Sequence, residues 1–260
     1  MSGIVGWIDW TEDLTRQNSL IEAMAETLNH RGPDAKGCWL SPRAALAHRR
    51  LIVIDPSGGT QPMVYTAGDY TYALTYNGEI YNFRELRSGL EVRGHTFRTQ
   101  SDAEVLLHAY LEWEENCVQH LNGNFAFGLW DGKRQQLLLA RDHLGVKPLF
   151  YAQRGSAILF ASELKALLLH PLVKAEIDEE GLAEIVKPSV TVTPGFGAYC
   201  DVYQLRPAHM LICTCNNTRI VQYWTLRSAS HTDDLPTTVE RIRELIEDTV
   251  RHQMIADVPL

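Results

Sequence analysis

The residues able to do chemistry are scattered along this chain, and each group is ordinary when read alone. Asn77-Gly78 reads first as a tight turn, because an Asn-Gly pair readily takes the left-handed backbone that hairpin turns need. His30-Arg31-Gly32-Pro33-Asp34 reads as a helix stop. Arg141-Asp142 reads as a surface ion pair. Five cysteines occur, at Cys38, Cys117, Cys200, Cys213 and Cys215. Their odd number and the absence of zinc-site spacing favour a reducing compartment over a disulfide framework or a metal site. Cys213 and Cys215 alternate within an apolar run, so they are expected to share one face of a strand. Taken singly, these groups support a soluble α+β domain and no particular reaction.

The elements that must position them follow from patterning. The 260 residues are 45% hydrophobic and 22% charged, ordinary for a globular protein and enough for one large domain or one and a half. A net charge of −8 and the lack of a long Lys/Arg run argue against nucleic acid or an anionic membrane as partner. The N-terminus lacks the basic start and apolar length of a signal peptide, and no stretch approaches the ~20 apolar residues that span a bilayer, so the cytoplasm is the expected location.

A short buried strand is predicted over 3–8, then a helix with Ile21, Met24, Ala25 and Leu28 on one face. Extended structure is predicted over 44–54 and a strand over 71–76 running into Asn77-Gly78-Glu79, with a helix from about Phe83. Ser101 with Glu104 is a capping-box signature, opening a helix that buries Val105, Leu106, Ala109 and Tyr110. Short strands follow at 124–130, 135–141, 148–152 and 157–161, clustered as hairpins. Mainly antiparallel sheets with helices on their outer faces are the expected outcome. Beyond a turn-rich connector at 193–197, strands are expected near 209–215 and 219–224, a loop over 232–236, and a helix bearing Val239, Ile242, Ile246 and Val250 that ends near Met254.

Taken together and in order, the groups resemble one family. Ser2-Gly3-Ile4-Val5-Gly6 resembles the mature start of class II glutamine amidotransferases, whose pattern begins Cys-Gly-Ile. His30-Arg31-Gly32-Pro33-Asp34, Leu46-Ala47-His48-Arg49-Arg50-Leu51, Asn77-Gly78-Glu79-Ile80-Tyr81-Asn82 and Ser101-Asp102-Ala103-Glu104 are similar to that family in the same order. Phe125-Ala126-Phe127, Arg141-Asp142-His143-Leu144-Gly145 and Ala161-Ser162-Glu163-Leu164-Lys165 resemble its asparagine synthetase branch in particular. The strong resemblance covers about residues 2 to 168. A weaker one reaches Ala256-Asp257-Val258-Pro259-Leu260, which resembles the approach to a synthetase domain.

The resemblance implies a four-layer αββα sandwich of the N-terminal nucleophile hydrolase type, with two mainly antiparallel sheets. It implies an amidotransferase domain over 2–190, with strands extending as far as 225, a connector and hairpin over 191–235, and the truncated start of a synthetase domain over 236–260. It implies removal of Met1, attack by residue 2 on the glutamine side-chain amide, and the freed α-amine as base, whose pKa of about 7.7 to 8.0 leaves it available near neutrality.

Asn77, through its side-chain amide, and Gly78, through its backbone N–H, resemble the oxyanion hole. Arg50 resembles the bidentate grip on the glutamine α-carboxylate, and Asp102 the partner of its α-ammonium, with Glu79 and the Val53 backbone assisting. The parent reaction would be ATP-dependent amidation of aspartate with ammonia from glutamine. No metal or cofactor is implied for this part of the protein. ATP and Mg²⁺ belong to the synthetase half, whose Ser-Gly-Gly-x-Asp-Ser loop does not occur before Leu260. The expected partners are L-glutamine here, and aspartate and ATP through that other half; a homodimer is compatible.

Position 2 departs from the pattern. Serine is a far weaker nucleophile than the family's cysteine, so glutamine hydrolysis is expected to be weak or absent. Two origins of Ser2 stay open, a deliberate Cys-to-Ser substitution that traps substrate and a natural lineage that lost or altered ammonia production; Arg50, Asn77 and Asp102 remain together, which favours the first. Three rival readings stay open: a β-lactam-synthetase-like enzyme that uses no glutamine, another amide-forming enzyme of the same family, and a noncatalytic glutamine-binding module.

Overall fold

The computed structural model describes residues 1–187 and 193–258. Its centre is a pair of six-stranded sheets stacked face to face. The first runs, in spatial order, Val202–Gln204 (β10), Phe150–Arg154 (β8), Ala157–Ala161 (β9), Gly3–Asp9 (β1), Ala44–Arg50 (β3) and Ala35–Leu40 (β2). The second runs Thr218–Gln222 (β12), His209–Cys213 (β11), Gln136–Arg141 (β7), Gly123–Asp131 (β6), Tyr70–Ile80 (β5) and Met63–Ala67 (β4). All of these pairings are antiparallel.

Side-chain alternation divides the apolar residues into three layers. Val5 and Trp7 of β1, with Ala45 and Ala47 of β3, face outward onto Asn18–Glu26 (α1) and Leu164–Leu168 (α4). Ile4 and Ile8, with Ala44 and Leu46, face the second sheet and meet Ala73, Ala126, Trp130, Leu137 and Leu139. Tyr72, Leu74 and Tyr76 of β5, with Phe125, Phe127 and Leu129 of β6, face outward onto Phe83–Val92 (α2) and Asp102–Trp113 (α3). Strands buried on both faces read as near-continuous apolar runs, as β7 does with Leu137, Leu138, Leu139 and Ala140 all fully buried. The order helix, sheet, sheet, helix is the four-layer αββα sandwich expected from the sequence.

One ring in the layer between the sheets lies between two glycines. Phe160 of β9 pairs with Gly6 of β1, and its side chain lies in the layer between the sheets. A Cβ built on Gly6 would overlap the Phe160 ring, and so would one built on Gly128 of the facing β6. A glycine in each sheet thus makes the slot the phenyl ring fills.

Several expectations need correction. Asn77-Gly78 is not a turn: both residues lie inside β5, in register with Ala126 and Phe125. Extended structure stops at Arg50, and 51–55 form an irregular loop. The edge strands β2 and β4 lack a distinctive pattern and were not anticipated. Strand β11 ends at Cys213, which is buried, and Cys215 is exposed beyond it, so the two do not share a strand face. The capping box forms only in part: Ser101 accepts from the Ala103 N–H, while Glu104 accepts instead from the amides of Arg98 and Thr99.

The last helix, Leu235–Gln253 (α6), begins earlier than expected, with Asp234 as its N-cap and Pro236 in the first turn. None of its residues is buried, and Val239, Ile242 and Ile246 are about half exposed or more. A further helix spans Glu179–Val186 (α5). The expected domain boundary near 190 and the residues Pro259-Leu260 lie outside the described residues. Strand β10 joins one sheet and β11–β12 the other, so chain up to Gln222 builds the sandwich. No helix among the described residues is long and apolar enough to cross a membrane.

The Phe160 slot is testable. Phe160→Ala is expected to cost about 3–5 kcal/mol in chemical denaturation, and Gly128→Ala about 1–3 kcal/mol by overpacking. In a double-mutant cycle the Gly128→Ala penalty should shrink once Phe160 is alanine. An equal penalty in both backgrounds would show that the ring is not what excludes the methyl group.

Candidate active site

The alternation that builds the inter-sheet core also delivers the polar residues. On β1 the inward series Ile8, Ile4 extends back to Ser2; on β3 the series Ala44, Leu46 extends to His48 and Arg50; on β5 the series from Ala73 extends to Thr75, Asn77 and Glu79. Gly3 pairs with Arg49, so the β1 start and the β3 end lie side by side. His48 Nδ1 meets Thr75 Oγ1 at 3.1 Å across the gap between the sheets. Beyond that contact the cleft opens into a cavity of ≈ 230 Å³. Ser2, Arg50, Val53, Asn77, Gly78, Glu79 and Asp102 all line it. It is smaller than the ~300–1,000 Å³ typical of drug-sized ligand sites, so it suits one small polar metabolite.

Residue 2 is fixed from several sides. Leu51 N–H donates to Ser2 Oγ at 3.1 Å, and Arg31 Nε donates to the Ser2 carbonyl at 2.9 Å. Arg31 Nη1 is in turn bonded to Glu163 at 2.9 Å. Ser162 Oγ accepts from Ile4 N–H at 3.0 Å, and the Ile4 carbonyl accepts from Ser162 N–H at 2.9 Å. The distant His30-Arg31 and Ser162-Glu163 groups are therefore the fixings of the first strand. A Cβ at Gly32 would overlap the Arg49 backbone, so that turn needs glycine. Met1 also lines the cavity and is half exposed; its amine is shifted down by burial, then by Arg31 and Lys147.

Asn77 is 1% exposed, and its Nδ2 has no hydrogen-bond partner. A buried donor left unpaired costs about 1–3 kcal/mol, and Asn77 lines the cavity, so its amide is a candidate donor to a ligand acceptor there. Gly78 follows it, and a Cβ there would overlap the Asn124 carbonyl on β6, so the strand can pass only as glycine. Beneath, Thr75 Oγ1 donates to the Ala47 carbonyl at 3.2 Å and so accepts from His48 Nδ1–H. Burial and the Arg50 charge push the His48 pKa down to about 3, which keeps the ring neutral.

The charged residues sit differently from the sequence expectation in one respect. Both hydrogens of Arg50 Nη2 are committed, to the carbonyls of Ile54 at 2.9 Å and Asp55 at 2.7 Å. Both two-nitrogen forks of a guanidinium, Nε with Nη2 and Nη1 with Nη2, require Nη2, so the expected bidentate grip is not available while those carbonyls stay bound; Nε remains as a single donor, and Nη1, which reaches the Pro56 carbonyl at 3.5 Å with one hydrogen, keeps the other. The Val53 carbonyl accepts from Asp257 N–H at 2.9 Å, which leaves it one further lone pair.

Asp102 opens α3, and its Oδ2 accepts from Tyr76 Oη at 2.7 Å and Ile80 N–H at 3.1 Å. Burial raises its pKa to about 6 despite those bonds. Glu79, partly buried, completes an acidic wall. The cavity therefore holds a cation, an anion, a hydroxyl and an unpaired amide donor. Among the described residues no group of three or more His, Cys, Asp or Glu side chains is arranged to hold a metal.

Two contributors were not singled out from the sequence. Lys147 is 8% exposed, lines the cavity, and lies close enough to the Met1 amine to shift it. Its loop is shaped by Arg141 and Asp142, which are buried and bind backbone rather than forming a surface ion pair. Arg141 donates to the carbonyls of Lys147, Leu205 and Gly145 at 2.8, 2.7 and 2.6 Å. Asp142 accepts from the amides of Phe125, Leu144, Val146 and Lys147. The second is Asp55, a non-glycine residue at φ 47° whose carboxylate accepts from Gly58 N–H, Ser57 Oγ and Gln100 N–H. The Arg-Asp pair was a usable signal for Lys147; for Asp55 nothing local pointed to the strained loop.

Comparison with known proteins agrees with this geometry. Residues 1–224 match the family described as glutamine amidotransferase domain. The chain is 46% identical over 260 residues to asparagine synthetase (glutamine-hydrolyzing) 3 of Bacillus subtilis, covering 100% of this chain and 42% of that protein. It is 32% identical over 248 residues to amidase chry2 of Gibberella zeae, covering 92% of this chain and 36% of that protein. It thus spans less than half the length of these relatives. A solved structure of glutamine phosphoribosylpyrophosphate amidotransferase from B. subtilis superposes with a TM-score of 0.62 at 21% identity, over 86% of this chain and 50% of that one, which bears on the fold. The arrangement of sheets and helices is shared with that structure, and the chain belongs to the glutamine amidotransferase domain family.

Proposed function

We propose that the cavity binds L-glutamine, and that this chain is the glutamine-handling part of an asparagine-synthetase-type, ATP-dependent amidotransferase with Ser2 at the nucleophile position. The unpaired Asn77 amide, buried in the same cavity as the Ser2 hydroxyl, carries the reading. Arg50 takes the α-carboxylate through a single donor, Nε or Nη1, and Asp102 takes the α-ammonium, with Glu79 beside it. The side-chain amide then reaches between Ser2 and Asn77-Gly78.

Once Met1 is removed, the Ser2 α-amine accepts the hydroxyl proton as Oγ attacks the amide carbon. Asn77 Nδ2 and Gly78 N–H hold the resulting oxyanion, and the amine returns the proton to the departing ammonia. Water then cleaves the ester to give glutamate. Lys147, close enough to act on the N-terminal amine, favours the neutral amine and the developing negative charge. Aspartate as acceptor, ATP with Mg²⁺, a cytoplasmic location, and residues 236–260 as the start of a synthetase unit belong to the same proposal. The intact cation and anion pair favours this over a lactam-forming relative that binds no glutamine.

Calorimetry on chain lacking Met1 should show glutamine binding, and Arg50→Ala should weaken it by about 1.5–3 kcal/mol, the scale of a charged hydrogen bond. Absence of binding would favour the lactam-forming reading. The pH dependence has a definite sign. Asp102, raised to about 6 by burial, is ionised above that pH, where affinity should be flat. Below it, each glutamine bound must displace a proton, so affinity should fall by about tenfold per unit. Asp102→Asn should bind weakly with no such slope; an unchanged slope would move the ammonium site elsewhere.

Ser2→Cys should raise glutamate release by orders of magnitude with glutamine affinity nearly unchanged, because a thiol is deprotonated far more readily than a hydroxyl. Equal rates for Ser2, Ser2→Cys and a Ser2→Ala control would mean the site is defective elsewhere.

A further inference from the structure

The chain after α6 returns to the sandwich and fastens onto the wall of the cavity. Ile255 packs against the core cluster beneath α2 and α3, as Val53 does. Two residues on, Asp257 holds the 53–55 backbone twice: its N–H donates to the Val53 carbonyl at 2.9 Å, and its Oδ2 accepts from Asp55 N–H at 2.8 Å. From the cavity side, Arg50 Nη2 holds the carbonyls of Ile54 and Asp55. The same short stretch of backbone is therefore bonded to Asp257 on its outer side and to Arg50 on its inner side. Asp55 is kept at φ 47° within this double hold. A non-glycine residue stays in that region only where its surroundings over-determine it. Asp257 itself does not line the cavity.

We propose that Asp257 is a positioning residue for glutamine recognition. By fixing the 53–55 backbone from outside, it sets the carbonyls that aim Arg50, and it links docking of the segment after α6 to occupancy of the cavity. This rests on the glutamine reading above. Because the linkage is a free energy shared by two events, it runs both ways: docking favours glutamine, and glutamine tightens docking. Val53 and Ile54 line the cavity while Asp55 and Asp257 stand behind them, which gives the coupling a path of one residue.

The test uses the whole chain lacking Met1, with the variants Asp257→Ala and Asp257→Asn. Asp257→Ala should weaken glutamine binding about three- to tenfold, the loss expected for one hydrogen bond, with the thermal midpoint unchanged. Asp257→Asn should restore affinity, because an amide oxygen can accept the same bond. Glutamine should slow hydrogen exchange at the Asp55 and Asp257 amides of the unsubstituted chain and not at Asp55 in Asp257→Ala. Unchanged affinity in Asp257→Ala, or equal loss in both variants, would overturn the proposal. If the unsubstituted chain binds no glutamine, the functional reading fails and the recognition role fails with it. Faster Asp55 exchange in unliganded Asp257→Ala would then still establish the outer clamp, and equal exchange would remove that as well.

Discussion

The spacing between the two sheets is the constraint on which the rest of this molecule depends. Phe160 fills a slot bounded by Gly6 in one sheet and Gly128 in the other. Packed interiors tolerate neither a void nor an extra methyl group there. With the gap set in the middle, the open end has a defined width as well. Ser2 and Arg50 come from the first sheet and Asn77 and Glu79 from the second, so the distance between nucleophile and amide donor is a property of the stack rather than of either sheet. The His48–Thr75 contact is the last cross-sheet bond before the cavity, and it is made by a histidine held neutral, which spares the gap a buried charge.

Buried ionic side chains serve the backbone more than each other. Arg141 and Asp142 are adjacent in sequence yet spend their bonding capacity on the peptide groups of the loop that carries Lys147. Arg31 ties the Ser2 carbonyl to Glu163, and Arg50 gathers the carbonyls of 54 and 55. A loop that must run through a desolvated region has no water for its carbonyls and amides, and a guanidinium or carboxylate can satisfy several of them at once. Each such residue therefore converts an irregular segment into a rigid wall of the cavity. The same arrangement limits Arg50 as a ligand-binding group, since bonds given to the loop are withheld from the ligand.

The cavity lining carries both signs of charge, Arg50 and Lys147 with Asp102 and Glu79. Asp102 is close enough to Arg50 to act on its charge, and Lys147 close enough to act on the N-terminal amine. Burial makes the ionised form of Asp102 costly, so a bound ammonium would offset that cost, and the site favours a ligand that carries both charges over one that carries either alone.

Much was legible from the sequence because it is a matter of alternation and of motif order. The inward series on β1, β3 and β5 can be counted along the chain, and the residues it delivers to one cavity, Ser2, Arg50, Asn77 and Glu79, are ones the motifs pick out. Glycine and proline marked the stop after α1, while Asn77-Gly78 misled, because the property that suits Asn-Gly to a turn also suits Gly78 to close passage beside Asn124. The edge strands β2 and β4 escaped notice because an edge strand buries too little to impose a strict pattern. What tertiary structure alone decided is where side chains at long separation spend their hydrogen bonds. The sequence shows an arginine at 50 and an aspartate at 257, but only the folded chain places 53–55 between them. That choice depends on competition among all nearby donors and acceptors in a desolvated space, and no local spacing encodes it.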